Sequence, residues 1–166
     1  MSNSSTWRTA WRGPDIVVFQ GDAEVDRVTA NDIARVIFLY RGNGESAGDL
    51  VQAVALTAAD CLVFPAETGF AGRVNFERTS YWAERGCVYW VPQARAPLPL
   101  RLRRARWWLG LSGPHYARVP RSELAALIEQ WPLEGPQTWE QRKWRRIERG
   151  RAFTTAAAEE NRRQRA

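Results

Sequence analysis

Residues 33–40, with the sequence IARVIFLY, decide the fold of this protein. Every side chain in this stretch except Arg35 is apolar or aromatic, and Val36 and Ile37 are β-branched. A run of this length and composition favours a strand in the middle of a sheet. We therefore predict a β-sheet with residues 33–40 at its centre.

Short segments on both sides of this run also have strand character. Residues 16–19 form a compact apolar run, and residues 24–28 alternate apolar and charged side chains, which predicts a half-buried strand. Residues 50–64 predict one or two more strands, interrupted near Ala58, and residues 87–91 predict another. The chain therefore supplies several short strands that are close together in sequence.

The region after residue 65 is less regular. The segment 68–85 predicts a strand or turn followed by a short helix that ends at Gly86. Leucines alternate with proline and arginine over residues 98–102, which predicts a half-exposed strand, and residues 106–111 predict a last strand.

Two helices complete the predicted order of elements. The first follows Ser122, its predicted N-cap, and carries one apolar stripe at helical spacing, formed by Leu124, Leu127, Ile128 and Trp131. The second begins with a capping box made by Thr138 and Gln141. We expect residues 1–10 and the residues from Thr154 onward to be frayed.

The charge of the chain is concentrated at its C-terminal end. The protein has 166 residues and a net charge of +6. Residues 1–140 carry 15 Arg and 15 acidic side chains, whereas residues 141–166 carry 9 basic and 3 acidic side chains. The whole excess of positive charge therefore belongs to the last 26 residues.

The second predicted helix is the leading candidate for a binding site. Basic and aromatic side chains alternate along it, and such a pattern is typical of surfaces that bind polyanions. The candidate residues are Trp139, Arg142, Lys143, Trp144, Arg145, Arg146 and Arg149. A helix that folds back on its own domain or docks on an acidic protein is the competing interpretation.

A second basic patch is predicted at Arg101, Arg103, Arg104 and Arg106. Its alternative is an edge strand whose charges prevent pairing with another chain. Lys143 is the only lysine among 24 basic residues, so nearly every positive charge in this chain is an arginine. Because arginine is the general choice, its presence at a given position is weak evidence for phosphate binding.

Catalytic chemistry has little support in the sequence. His115 is the single histidine, and it follows Gly113-Pro114, a setting typical of a turn. A remote alternative is a hydrolase-type enzyme that uses the carboxylates of Glu67, Glu77 and Glu84 among nearby aromatic residues. We predict no enzymatic activity, no cofactor and no metal site.

The two cysteines and the hydropathy of the chain bear on its location. Cys61 and Cys87 each lie in an apolar run, which predicts buried, reduced thiols. No apolar stretch is long enough to cross a membrane as a helix, and Met1–Thr6 does not resemble a signal peptide. These observations predict a cytoplasmic protein.

The order of elements resembles the pleckstrin-homology superfamily, a bent antiparallel barrel capped by a helix. Residues 25–36 (VDRVTANDIARV) are similar to a strand, short polar turn and strand entry of bacterial members. The resemblance implies an α+β fold with a bent antiparallel sheet or partly open barrel and a C-terminal helix. It divides the chain into an arm (1–13), a barrel domain (14–132) and a basic helical tail (133–166).

Barrels of this superfamily imply binding rather than catalysis, although partners vary widely. We therefore expect a cytosolic binding or adaptor domain of unknown ligand with a basic C-terminal helix. The alternative is a nucleic-acid-associated protein that uses the basic, tryptophan-containing tail. The expected partner of the tail is a protein or a polyanion, either nucleic acid or an anionic membrane surface.

Overall fold

The computed structural model describes residues 7–65, 84–103 and 116–163. Its strands are β1 (Trp7–Arg12), β2 (Asp15–Gln20), β3 (Ala23–Thr29), β4 (Arg35–Tyr40), β5 (Leu50–Leu56), β6 (Asp60–Pro65), β7 (Val88–Pro92) and β8 (Ala117–Pro120). Its α-helices are α1 (Leu100–Arg103), α2 (Arg121–Glu129) and α3 (Trp139–Arg163). Short 3-10 turns cover Ala30–Asp32, Ala47–Asp49 and Gln93–Arg95.

The strands form two open sheets, which confirms the predicted α+β class. The first sheet has the order β1-β2-β3, and all of its pairs are antiparallel. The second has the order β7-β4-β5-β6-β8, with β4 in its interior as the apolar run predicts. The pair β4–β7 is parallel, whereas the other pairs of this sheet are antiparallel.

The second sheet is buried on both faces. One face packs against β2 and β3 in a cluster that includes Ile16, Phe38 and Trp90. The opposite face packs against α2 and residues 96–102 in a second cluster. The continuous burial of β4 follows from this middle position, because both sets of alternating side chains need an apolar partner.

Residues 7–12 form a strand, so the fraying predicted for residues 1–10 is wrong over residues 7–10. β1 pairs along its whole length with β2, and Trp7 and Trp11 pack against the first cluster. Trp7 and Trp11 are four residues apart, a spacing that places two side chains on one face of either a strand or a helix, so the sequence alone does not identify this strand.

Two further predictions need correction. Residues 100–103 are helical rather than extended, because Leu98 and Leu102 are buried together and the Leu102 N–H donates to the Pro99 carbonyl at 2.8 Å. Helix α2 begins at Arg121 with Pro120 at its N-cap, so Ser122 lies inside the helix. The predicted elements at 68–83 and 106–111 lie outside the described residues.

A polar network joins the two sheets at the edge where β3 meets β8. The Arg118 guanidinium donates to both carboxylate oxygens of Asp26 (2.9 and 3.0 Å) and to Asp60 of β6 (2.9 Å), and Tyr116 also donates to Asp26. Burial raises the pKa of Asp26, but the hydrogen bonds from Arg118 and Tyr116 outweigh it and hold that pKa below its ordinary value.

Trp131 tests the second cluster. This side chain is 5% exposed, and its indole N–H has no hydrogen-bond partner among the described residues. We expect Trp131→Ala to lower the free energy of unfolding by about 3–5 kcal/mol, because it leaves a cavity between α2 and the sheet. Trp131→Phe should cost less than half as much, since no hydrogen bond is lost. Urea denaturation measures both, and equal losses would contradict this packing.

Asp26 tests the network between the sheets. Because its pKa is lowered in the folded state, its contribution is complete near neutral pH and is lost as the pH falls below about 4. We expect Asp26→Asn to cost about 1–2 kcal/mol at pH 7, a small value since the charge is partly solvated, and to unfold with a shallower acid dependence. The exposed Asp22→Asn is the matched control, and an unchanged acid dependence in Asp26→Asn would contradict the assignment.

Candidate functional site

The first turn of α3 docks against the sheets. The capping box is present as predicted: the Thr138 N–H donates to Gln141 Oε1 at 2.9 Å, and the Gln141 N–H donates to Thr138 Oγ1 at 3.2 Å. Trp139 packs against the first cluster, and its Nε1 donates to the Gly44 carbonyl at 3.2 Å. Helix α3 then continues to Arg163, so the fraying expected from Thr154 onward is wrong over residues 154–163.

Arg142 lies in the contact between α3 and the sheets. Its side chain stacks over the Tyr40 ring at 4.2 Å, and its Nε donates to Glu134 Oε2 at 3.0 Å. The Tyr40 hydroxyl donates to the other Glu134 oxygen at 2.8 Å. Burial and the Glu134 hydrogen bond raise the pKa of Tyr40, so its hydroxyl remains a proton donor.

The segment before α3 is fixed to β7, which places Glu134 and Gln137. Glu134 and Trp90 exchange backbone hydrogen bonds at 2.8 and 2.7 Å, and Trp90 Nε1 donates to the Gln137 carbonyl at 3.0 Å. Gly135 has a φ of +131°, and a Cβ there would lie 2.9 Å from the Val88 carbonyl oxygen. A glycine is required at this position because both the backbone conformation and the space exclude a side chain.

Four arginines occupy one face of α3, at i, i+3, i+4 and i+7: Arg142, Arg145, Arg146 and Arg149. Arg146 pairs with Glu45 and donates to the Asn43 carbonyl at 3.3 Å. Arg145 Nη1 donates to Gln137 Oε1 at 3.0 Å, and Arg149 Nε donates to the Arg145 carbonyl at 3.4 Å. Glu134 and Glu45 thus neutralise two of the four charges.

These arginines line a cleft of about 660 Å³ between α3 and the end of β4. Tyr40, Glu134 and Gln137 contribute to its opposite wall. Arg145 and Arg149 are exposed at the cleft, and neither forms an ion pair with a carboxylate of the described residues. Guanidinium groups in this setting match the planar oxygens of phosphate or carboxylate groups.

The predicted site residues of the tail therefore have two different roles. Trp139, Arg142 and Arg146 hold α3 on the sheets, as in the competing interpretation of a helix that folds back on its own domain. That the tail residues bind a ligand stays a prediction. Lys143 lies 5.3 Å from the Trp139 ring, and its side chain is exposed. Trp144 is 60% exposed.

The other candidate residues are only partly described. Arg101 pairs with Glu123 of α2, whereas the side chain of Arg103 and residues Arg104 and Arg106 lie outside the described part. Glu84 is exposed, and Glu67, Glu77 and His115 lie outside the described residues.

The structure confirms that Cys61 and Cys87 are buried thiols that are not joined in a disulfide. Burial raises the pKa of both groups, so they are protonated near neutral pH. Within residues 7–65, 84–103 and 116–163, no helix has the length and apolarity to cross a membrane, and no cluster of three metal-ligating side chains occurs.

Comparisons with known proteins give no relative for this chain. No protein-family model, curated protein or solved structure matches it. The site is therefore defined by its own geometry.

Sequence reasoning missed the residues outside α3 that contact its arginines, namely Tyr40, Glu45, Glu134 and Gln137. Each is distant in sequence from the arginine that it contacts or lies across a turn from it. The only local signal is Gly135-Pro136, which marks a sharp turn directly after Glu134.

Gly44 tests the docking of α3. It has a φ of +70°, and a Cβ there would lie 2.8 Å from the Tyr40 ring and 3.0 Å from Arg142 Nη1. We expect Gly44→Ala to lower the free energy of unfolding by about 1–3 kcal/mol for two reasons. The added methyl group would displace the Tyr40 ring and Arg142, and a residue with a Cβ is strained at this positive φ. Gly48→Ala is the control, since no atom of the described residues lies within 4 Å of its Cβ position. Equal stability of the two variants in thermal melts would contradict this account.

Proposed function

We propose that this protein is a non-catalytic binding module whose ligand site is the cleft between α3 and β4, and that its ligand carries phosphate-type anions. The observation that carries the proposal is the pair Arg145 and Arg149, which line the cleft and form no ion pair with a carboxylate in the part of the chain that the structure describes. A bound anion would neutralise the charge that the protein itself leaves uncompensated.

The arrangement of charges supports this proposal. Like charges three and four residues apart destabilise a helix by about 0.2–0.5 kcal/mol per pair, and the four arginines form four such pairs: 142/145 and 146/149 are three residues apart, and 142/146 and 145/149 are four residues apart. Glu134 and Glu45 offset this repulsion for Arg142 and Arg146 only. Arg145 is additionally oriented by Gln137, so its guanidinium is held in place before a ligand arrives.

Binding rather than catalysis also fits the groups with shifted pKa values. Asp26 and Tyr116 are hydrogen-bonded to each other within the network between the sheets, and Tyr40 belongs to the docking of α3. The proposal retains the resemblance to pleckstrin-homology domains that was inferred from the order of elements. In such domains a partly open barrel carries the surface that binds the ligand. A reducing cytoplasm suits the two buried free thiols.

Salt-dependent binding of a short linear inorganic polyphosphate tests the proposal. Calorimetry should show binding at about 50 mM salt that weakens steeply as salt increases. We expect the double variant Arg145→Gln/Arg149→Gln to flatten the slope of log K against log salt by about 1–2 units, because two phosphate contacts are lost.

The matched control is Arg162→Gln/Arg163→Gln, which removes the same charge from exposed positions at the end of α3. It should leave the slope almost unchanged. The proposal is wrong if polyphosphate shows no salt-sensitive binding, or if both double variants weaken binding equally. Preferential binding of an acidic peptide over polyphosphate would instead make a protein the partner of the cleft.

A further inference from the structure

We propose that the ligand is a single-stranded nucleic acid, bound with its phosphates at Arg145 and Arg149 and with a base stacked on Trp144. This inference rests on the proposed function, because the cleft supplies the phosphate contacts. It adds a second surface on α3 and a specific ligand class.

Trp144 is the observation that leads beyond a simple anion site. It is 60% exposed, and among the described residues only Val25, at 46%, is another large apolar side chain with comparable exposure. Trp139, one and a half turns earlier on the same helix, is packed against the sheets. The two tryptophans of the helix therefore differ, and only Trp144 presents its ring to a ligand.

The position of Trp144 on the helix fits a nucleotide. Successive α-helical residues are about 100° apart, so Trp144 lies outside the cleft on the shoulder of α3, about 100° around the helix from Arg145 and about 140° from Arg149. On a helix about 10–12 Å across, the arc between two such side chains is roughly 10 Å. A phosphate at Arg145 and the base of the same or the next nucleotide can span this separation. Glu140 and Glu148 lie four residues before and after Trp144 and are both exposed, so they disfavour a phosphate directly beside the indole and leave Arg145 as the adjacent phosphate contact.

The same geometry favours a single strand over the other polyanions. In a duplex the faces of the bases are stacked on one another, so an indole on a helix shoulder reaches only an unpaired base. A membrane surface requires a continuous apolar helix face, whereas the neighbours of Trp144 three and four residues away include the exposed polar residues Glu140, Gln141 and Glu148. Base stacking on an aromatic side chain needs a single exposed ring.

The decisive experiment compares two ligands with the same charge. A labelled oligothymidine of about 15 nucleotides and an abasic deoxyribose-phosphate strand of the same length are titrated with the full-length protein, and binding is measured by fluorescence anisotropy at about 50 mM salt. We expect the wild-type protein to bind oligothymidine about tenfold more tightly than the abasic strand, which corresponds to about 1.4 kcal/mol.

Three variants separate stacking from charge. Trp144→Ala should abolish the preference for oligothymidine and leave the affinity for the abasic strand unchanged, whereas Trp144→Phe should keep part of the preference. Arg145→Gln/Arg149→Gln should weaken the binding of both strands and preserve their ratio. Val25→Ala is the control, because it removes an exposed apolar side chain from β3 of the first sheet. It should change the affinity for neither strand. Thermal melts verify that each variant is folded.

The outcomes distinguish this inference from the proposed function. Equal affinity of the wild-type protein for the two strands, or a preference that survives in Trp144→Ala, overturns the stacking role, while salt-sensitive binding of the abasic strand still supports the anion cleft. Tighter binding to a duplex of the same length or to phosphatidylserine-containing vesicles also overturns the single-strand assignment. Absence of salt-sensitive binding to either strand overturns both proposals.

Discussion

The second sheet must bury both of its faces, and the rest of the structure follows from how it does so. Strands β4, β5 and β6 carry apolar side chains on each face, so neither face can be left in water without a large loss of stability. The first sheet covers one face, and α2 with residues 96–102 covers the other. The first sheet, the second sheet and the helical layer leave the C-terminal end of β4 uncovered, and α3 packs there against Tyr40.

Charged groups at the margins of these layers fix their relative positions. Arg118 joins β3, β6 and β8 through Asp26 and Asp60, and Glu134 joins Tyr40 to Arg142. Each of these ions has hydrogen-bonded partners, which offsets the cost of removing it from water. The polar contacts therefore specify how the apolar layers meet, while burial supplies most of the stability.

The proposed site uses what remains after this packing is complete. Four arginines line the cleft. Two of them form ion pairs with Glu134 and Glu45, and the other two form no ion pair with the described residues. The same division separates Trp139, which is a packing residue, from Trp144, which is exposed. The number of basic and aromatic residues in the tail overestimates the size of the proposed site. Some of these residues attach α3 to the sheets, and only the others are exposed to a ligand.

The sequence alone determined the features that depend on local spacing. The apolar run at 33–40 specified an interior strand, Thr138 and Gln141 specified the start of α3, and the apolar positions of Cys61 and Cys87 specified buried thiols. In each case the deciding contacts are periodic or lie within one helical turn.

Only the tertiary structure decided the parallel pairing of β4 with β7, the helical conformation at residues 100–103, and the burial of Arg142. Arg142 has the same local setting as Arg145, yet one is 7% exposed and the other is open to solvent. The difference arises from Tyr40, about a hundred positions earlier in the chain, which the fold brings against one arginine and not the other. Contacts between such distant positions depend on how whole elements pack, and no local pattern of residue types encodes them.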